Sequence, residues 1–243
     1  MNLAKTILIA GFAAVSSLLL PGCGTTLSGP EFAEASPLVS SPVPLSSISY
    51  LADYTQDGAL PFTCEVLMRS DDMIRRNYVW KDETGTEKKV SVVINGPGAI
   101  RIEDGKSSRV DDSATVMARF FARLVFSPDT AVSSVDENVR TAANGASMYV
   151  YWVRLDGAPG VESCVVDVDP KSRLWTGLQV RMKDGSGDVS TVFPEYRSES
   201  GTTFPSQIVS STGDGAPVRC LIRDVKINPE LPDELFRIPD NNG

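Results

Sequence analysis

The chain contains no histidine. That absence removes the commonest side-chain base and the commonest transition-metal ligand. With them go Ser-His-Asp and Cys-His nucleophile systems and the usual catalytic zinc centres. Cysteine is scarce, four in 243 residues, and aromatic residues make up only 7%. Basic residues number 23 against 31 acidic ones, a net charge of −8. Phosphate backbones are held by clustered Lys and Arg, so this balance speaks against a nucleic-acid partner. Neither a phosphate-binding glycine loop nor a G-x-S-x-G elbow occurs. What remains is an acidic, 42% apolar chain, long enough to bury a full core. It reads as a protein that is not an enzyme and needs no cofactor or metal.

The N-terminus reads as an export signal. Lys5 precedes the apolar stretch Thr6 to Leu20, which meets Leu20-Pro21-Gly22-Cys23. A bilayer-spanning helix needs about 20 apolar residues, so fifteen fit a signal-peptide core instead. The Leu-x-Gly-Cys ending resembles a bacterial lipobox, in which the cysteine is acylated and becomes the first mature residue. Residues 1–22 are then the signal peptide and Cys23 the lipid attachment site; an ordinary signal peptide with an incidental cysteine is the alternative. Each buried CH₂ of an acyl chain adds about 0.8 kcal/mol of membrane affinity. Removing the leader leaves 22 basic and 31 acidic residues, a charge of −9, so attachment to the membrane would rest on lipid. Gly24, where an aspartate would signal inner-membrane retention, favours the outer membrane. Residues 23–49 carry Pro30, Pro37, Pro42 and Pro44 among many serines, the composition of a flexible tether. In an oxidising compartment Cys64, Cys164 and Cys220 allow one disulfide and a free thiol, or three unpaired cysteines packed as small hydrophobes.

From residue 50 to 240 the pattern is mainly β. Phe62 to Arg69 alternates, with Phe62, Cys64, Val66 and Met68 on one face. Further strands are expected at Met73 to Lys81, Lys88 to Asn95 and Ala99 to Glu103. The second half adds Ser147 to Leu155, Val161 to Val168, Arg173 to Lys183, Val189 to Phe193, Thr202 to Ser210 and Val218 to Ile227. Short gaps rich in Gly, Asp, Ser and Pro join them, the signature of an antiparallel meander, and a sheet this long should curl. Asp184 to Asp188 reads as a turn, lacking a calcium loop's full ligand series. The doublets Arg75-Arg76 and Lys88-Lys89 read as solvated strand faces.

Helices are expected over Leu45 to Gln56 and over Ala114 to Phe126, the latter capped by Asp112-Ser113 and stopped before Pro128. Thr130 to Asn144 reads as a second short helix or a loop. In the longer helix Val116, Phe120 and Leu124 form one apolar row and Met117, Phe121 and Val125 another. Such a stripe suits either a helix packed permanently on the sheet or a lid over an apolar hollow.

The last hundred residues carry an ordered set of motifs. Asp167-Val168-Asp169-Pro170 is followed by Lys183-Asp184-Gly185, then Phe193-Pro194-Glu195-Tyr196-Arg197 and Gly201-Thr202-Thr203-Phe204-Pro205. Val225-Lys226-Ile227-Asn228 and Leu231-Pro232-Asp233-Glu234-Leu235-Phe236 close the series. Over residues 147–239 this resembles the LolA/LolB-like superfamily of outer-membrane lipoprotein-sorting proteins. The resemblance implies a curved antiparallel sheet, an incomplete β-barrel covered by helices, whose apolar hollow accepts acyl chains of lipoproteins or similar lipids. Candidate lining residues are Val66, Met68, Phe120, Phe121, Leu124, Met148, Trp152 and Leu178. The family's soluble carrier is not itself acylated, so this chain resembles a membrane-fixed acceptor facing the periplasm. The basic residue that closes that carrier's lid stays unassigned among Arg75, Arg76, Arg101 and Arg119. An envelope sensor or protein-interaction module, like the RseB-like proteins of the same architecture, is the alternative.

Overall fold

The structure is a computed structural model. It describes residues 25–27, 38–110, 112–126, 134–141, 147–154, 160–169, 171–183, 188–213 and 215–238. The signal peptide, Cys23 and most of the turn at Asp184 to Asp188 lie outside them.

Alternating strands dominate. β1 is Thr25–Leu27, β2 Ile48–Gln56, β3 Phe62–Met68, β4 Met73–Lys81, β5 Glu87–Asn95, β6 Gly98–Glu103 and β7 Lys106–Arg109. Among the described residues one α-helix, α1, spans Asp112–Phe126. Then come β8 Ser134–Thr141, β9 Ser147–Arg154, β10 Val161–Val168, β11 Trp175–Met182, β12 Asp188–Glu199, β13 Thr202–Thr212 and β14 Val218–Ile227, with a short 3₁₀ turn at Asp233–Phe236. All fourteen strands join one antiparallel sheet in the order β1-β8-β9-β10-β11-β12-β13-β14-β2-β3-β4-β5-β6-β7. The sheet consists of two meanders stitched where β14 pairs β2, Cys220 opposite Tyr54 and Ile222 opposite Ala52. Its ends, β1 and β7, do not pair, so the barrel is not closed.

Two expectations fail here. Leu45 to Gln56 contributes a strand, not a helix. Ile48 to Gln56 is hydrogen-bonded to β14 on one side and β3 on the other, and two partnered edges outweigh local propensity. Thr130 to Asn144 yields strand β8 over Ser134–Thr141, paired along its length with β9. An additional strand, β7, has only exposed side chains, so it offered no apolar alternation to read. The structured domain also starts earlier than residue 50. Leu38 is buried, and Ser40 and Thr203 exchange two backbone hydrogen bonds of 2.9 and 2.7 Å. The serine-rich segment is thus held down from residue 38 onward.

Parity sorts β3–β6 into two faces. Val66, Ile74, Tyr78, Trp80, Val90 and Ile94 turn inward to a shared cluster. Leu67, Arg75, Val93 and Ile100 follow one another across the register on the other face, and the chain's end covers that face. Arg75 donates through Nη1 to the Leu235 carbonyl at 3.0 Å, and Asn95 through Nδ2 to that of Phe236 at 3.1 Å. Phe236 is fully buried. Asn228 ties this end to the start of the domain. Its Oδ1 accepts from Ser46 N at 2.7 Å, and its Nδ2 donates to the Pro44 carbonyl at 3.0 Å. The closing Asn and Phe of the sequence motif therefore do structural work. Truncating Phe236 to alanine removes a buried ring; urea denaturation is expected to show a loss of about 3–5 kcal/mol.

Candidate functional site

Helix α1 follows β7, at one end of the sheet, and precedes β8, next to the other end. The connection carrying it must therefore cross the sheet, which lays the helix over a sheet face. At 1.5 Å per residue its fifteen residues reach about 22 Å. Such a rod leans on one part of a wide curved sheet and stands away from another. Val116, Met117, Phe120 and Leu124 lean on the C-terminal meander, packing with Tyr151, Val166, Trp175, Leu178 and Phe193. Gly160 makes this approach possible: with φ +86°, a Cβ there would sit 3.1 Å from Val116 Cγ2. Toward the N-terminal meander the helix offers Ala118, Ala122 and Phe126; Ala122 is fully packed, whereas Ala118 borders open space.

A cavity of about 200 Å³ lies on that side. Met117, Ala118, Phe121 and Val125 form its helical wall. Strands β2–β4 supply Tyr50, Tyr54, Phe62, Val66, Met68 and Tyr78, and β13 and β14 supply Ile208, Cys220, Ile222 and Val225. Leu38 and Val39, from the held-down N-terminal segment, close one margin. Tyr54 and Phe62 stack with centroids 4.6 Å apart. Val66, Met68 and Phe121, among the candidates from sequence, line this cavity. Phe120, Leu124 and Leu178 do not; they belong to the filled cluster under the other side of the helix. Trp152 is misplaced by the sequence reading: it is 37% exposed while Tyr151 beside it is buried, because adjacent strand residues face opposite ways. Met148 falls in β9, but its side chain lies outside the described residues.

One lining residue was read differently from sequence. Arg76 is not a solvated strand-face cation; it lines the hollow. In β4 it shares parity with Ile74, Tyr78 and Trp80, all buried, and its register partners are Val66 and Val92. It is half-buried, one of the residues that line the cavity. Arg76 Nη2 donates to the Tyr54 hydroxyl at 3.3 Å, and its guanidinium carbon stands 5.5 Å from the Tyr78 ring centre. The alternation signal was present: a basic residue at an apolar-parity position of a strand. Of the other arginines considered, Arg75 is engaged by the chain's end, and Arg101 pairs with Glu103 at 2.8 Å. Arg119 donates to the Gly96 carbonyl at 2.6 Å.

Burial keeps the neighbouring acids neutral. It pushes Tyr78 up to about 12, Cys64 up to about 11 and Cys220 up to about 12, and raises Tyr50 and Tyr54 well above the ordinary phenol range. Burial also acts against the Arg76 charge, while Tyr78, Tyr54 and Cys64 offset it; an arginine stays protonated throughout the pH range of a folded protein. Among the described residues no group of three His, Cys, Asp or Glu could hold a metal ion. The arrangement can therefore enclose hydrocarbon beside one fixed positive charge.

No protein-family model matches the chain, and no curated protein matches it. Solved structures do. A LolA superfamily protein from Nitrosomonas europaea superposes with a TM-score of 0.58 at 10% identity, over 87% of this chain and 98% of its own. A DUF1329 family protein from Desulfovibrio piger gives 0.57 at 11%, over 86% and 94%. A putative outer membrane lipoprotein-sorting protein domain from Vibrio parahaemolyticus gives 0.53 at 13%, over 78% and 88%. The chain has a LolA-like fold.

Cys64, Cys164 and Cys220 are all buried and unpaired, so the disulfide alternative is not realised. With their pKa values raised by burial, the native protein at pH 8 should take up iodoacetamide at none of the three, and at all three once unfolded. Intact-mass measurement decides this, and rapid native labelling at Cys64 or Cys220 would contradict the packing described. Helix α1 is further held by Arg119 and by Arg123, whose Nε lies 3.7 Å from Asp71 Oδ2. Changing Arg119 to alanine should speed hydrogen exchange of the α1 amides while leaving those of β4 and β5 protected.

Proposed function

We propose that this protein is a lipid-anchored envelope lipoprotein, exported, acylated at Cys23 and facing the periplasm, that holds lipid or lipoprotein acyl chains in the hollow under α1. It acts without covalent chemistry, as a membrane-fixed acceptor in lipoprotein sorting, with the outer membrane as the favoured site. The observation that carries this reading is the cavity itself. A dry apolar space of about 150 Å³ binds benzene; this one measures about 200 Å³ and is walled by flexible Met68 and Met117 along with Phe62 and Phe121. Methionine and aromatic side chains adapt to chains of variable shape.

The fold shared with a putative lipoprotein-sorting domain and the lipobox-like Leu20-Pro21-Gly22-Cys23 support the envelope setting. The apolar chain of the ligand would replace water against Val66, Met68 and Phe121, at roughly 25 cal/mol per Å² of apolar surface removed from water.

Purified full-length protein should release co-extracted lipid in mass spectrometry and take up a fluorescent fatty acid saturably. Changing Phe121 to serine, which places a hydroxyl in the apolar wall, should weaken that uptake about tenfold. The same change at Phe120 should chiefly lower the melting temperature, since Phe120 sits in the filled cluster. Protein that arrives without lipid and shows no saturable uptake would rule the proposal out.

A further inference from the structure

A half-buried arginine in the wall of an apolar hollow needs an explanation, because a charge partly removed from water without an opposite charge is costly. Arg76 has no acidic partner among the described residues: the groups acting on its charge are Tyr78, Tyr54, Cys64 and Tyr50, all neutral at physiological pH. A guanidinium presents five N–H donors; among the described residues Arg76 reaches the Tyr54 hydroxyl oxygen at 3.3 Å and hydrogen-bonds the Cys64 thiol. Among the described residues its neighbours are thus neutral hydroxyl and thiol groups. Register assembles what surrounds it. Tyr50 pairs Val66 and Val66 pairs Arg76 across β2–β4, while Tyr54 pairs Cys220 of β14. Tyr50, Tyr54 and Tyr78 line the same cavity, and each phenol remains protonated and able to donate.

From this we infer that the hollow is an anionic-amphiphile site: Arg76 takes the carboxylate of a long-chain fatty acid, and the tail runs along Phe62, Met68 and Phe121. The inference rests on the hydrocarbon-binding reading above and adds the chemistry of the head group. One fixed cation matches one negative charge, which favours a carboxylate over a phosphate monoester dianion. Guanidinium and carboxylate also match as bidentate partners. A carboxylate seated there would accept from Arg76 and from neighbouring phenols, supplying the opposite charge in a mostly apolar setting.

The test uses the full chain loaded with a neutral fluorescent hydrocarbon probe, displaced by hexadecanoate, hexadecan-1-ol or hexadecyl phosphate at pH 8. Hexadecanoate is expected to displace the probe at roughly tenfold lower concentration than the alcohol. In Arg76→Leu and Arg76→Gln that preference should vanish, hexadecanoate losing about tenfold more than the alcohol does. Arg76→Leu removes a half-buried charge, so its melting temperature should hold or rise, and Arg76→Gln keeps a polar group should leucine repack the site. Equal displacement by acid and alcohol in the unmodified protein, or a preference surviving both substitutions, overturns the anion assignment while hydrocarbon binding stands. Tighter binding of hexadecyl phosphate overturns the choice of carboxylate. Displacement by none of the three overturns the hydrocarbon reading and this inference with it.

Discussion

One helix has to cover one face of a very wide sheet. Fourteen antiparallel strands twist and curl as a matter of backbone chirality, and a concave apolar surface of that breadth must be shielded from water. The α1 helix lies between strands at opposite ends of the strand order, so the chain has no shorter route than across the sheet. A rod on a curved surface makes contact along one line and leaves a gap beside it. The filled cluster around Phe120 and Trp175, and the hollow around Phe121 and Val66, are the two consequences of that geometry.

Side-chain size decides on which side the gap falls. Val116, Phe120 and Leu124 are large and seat the helix on the C-terminal meander, helped by the close approach at Gly160. Ala118 and Ala122 are small and face the N-terminal meander. Protein interiors normally close such spaces to crystal-like density, since an unfilled void forfeits dispersion contacts along its lining. The hollow beside α1, with Arg76 in its wall, departs from that density. The motifs near the C-terminus play the opposite part. Asn228 and Phe236 fasten this segment to residues 44–47 before β2 and to the outer face of β4–β5, and neither lines the hollow.

The lining residues show how far periodicity can be read. Phe62 to Arg69 alternates cleanly, and that alternation sets Val66 and Met68 on one face, the one that borders the hollow. Phe121 came from the 3.6-residue period of the helix. Trp152 failed because Met148 to Val153 is apolar at every position; a strand without alternation carries no parity, and only its pairing reveals which side chains turn in. Phe120, Leu124 and Leu178 are interior, as their apolarity required, but solid core and cavity wall have the same composition. Arg76 stood in plain view as half of a basic doublet. Doublets suggest solvent, whereas strand parity sends one member to each face, and here the two arginines part company: Arg75 to the covered outer face, Arg76 to the hollow.

Local chemistry along the chain was enough to determine the antiparallel strands, the amphipathic helix and the absence of histidine-based catalysis, because each depends on residue type and on spacing within a dozen positions. The helix proposed before the first strand, the unread eighth strand and the early start of the domain at Leu38 depended on partners far away in sequence. So did the hollow. Its walls come from Met117, Ala118, Phe121 and Val125 of α1 and from strands of both meanders, and those are relations between distant segments that only folding brings into contact.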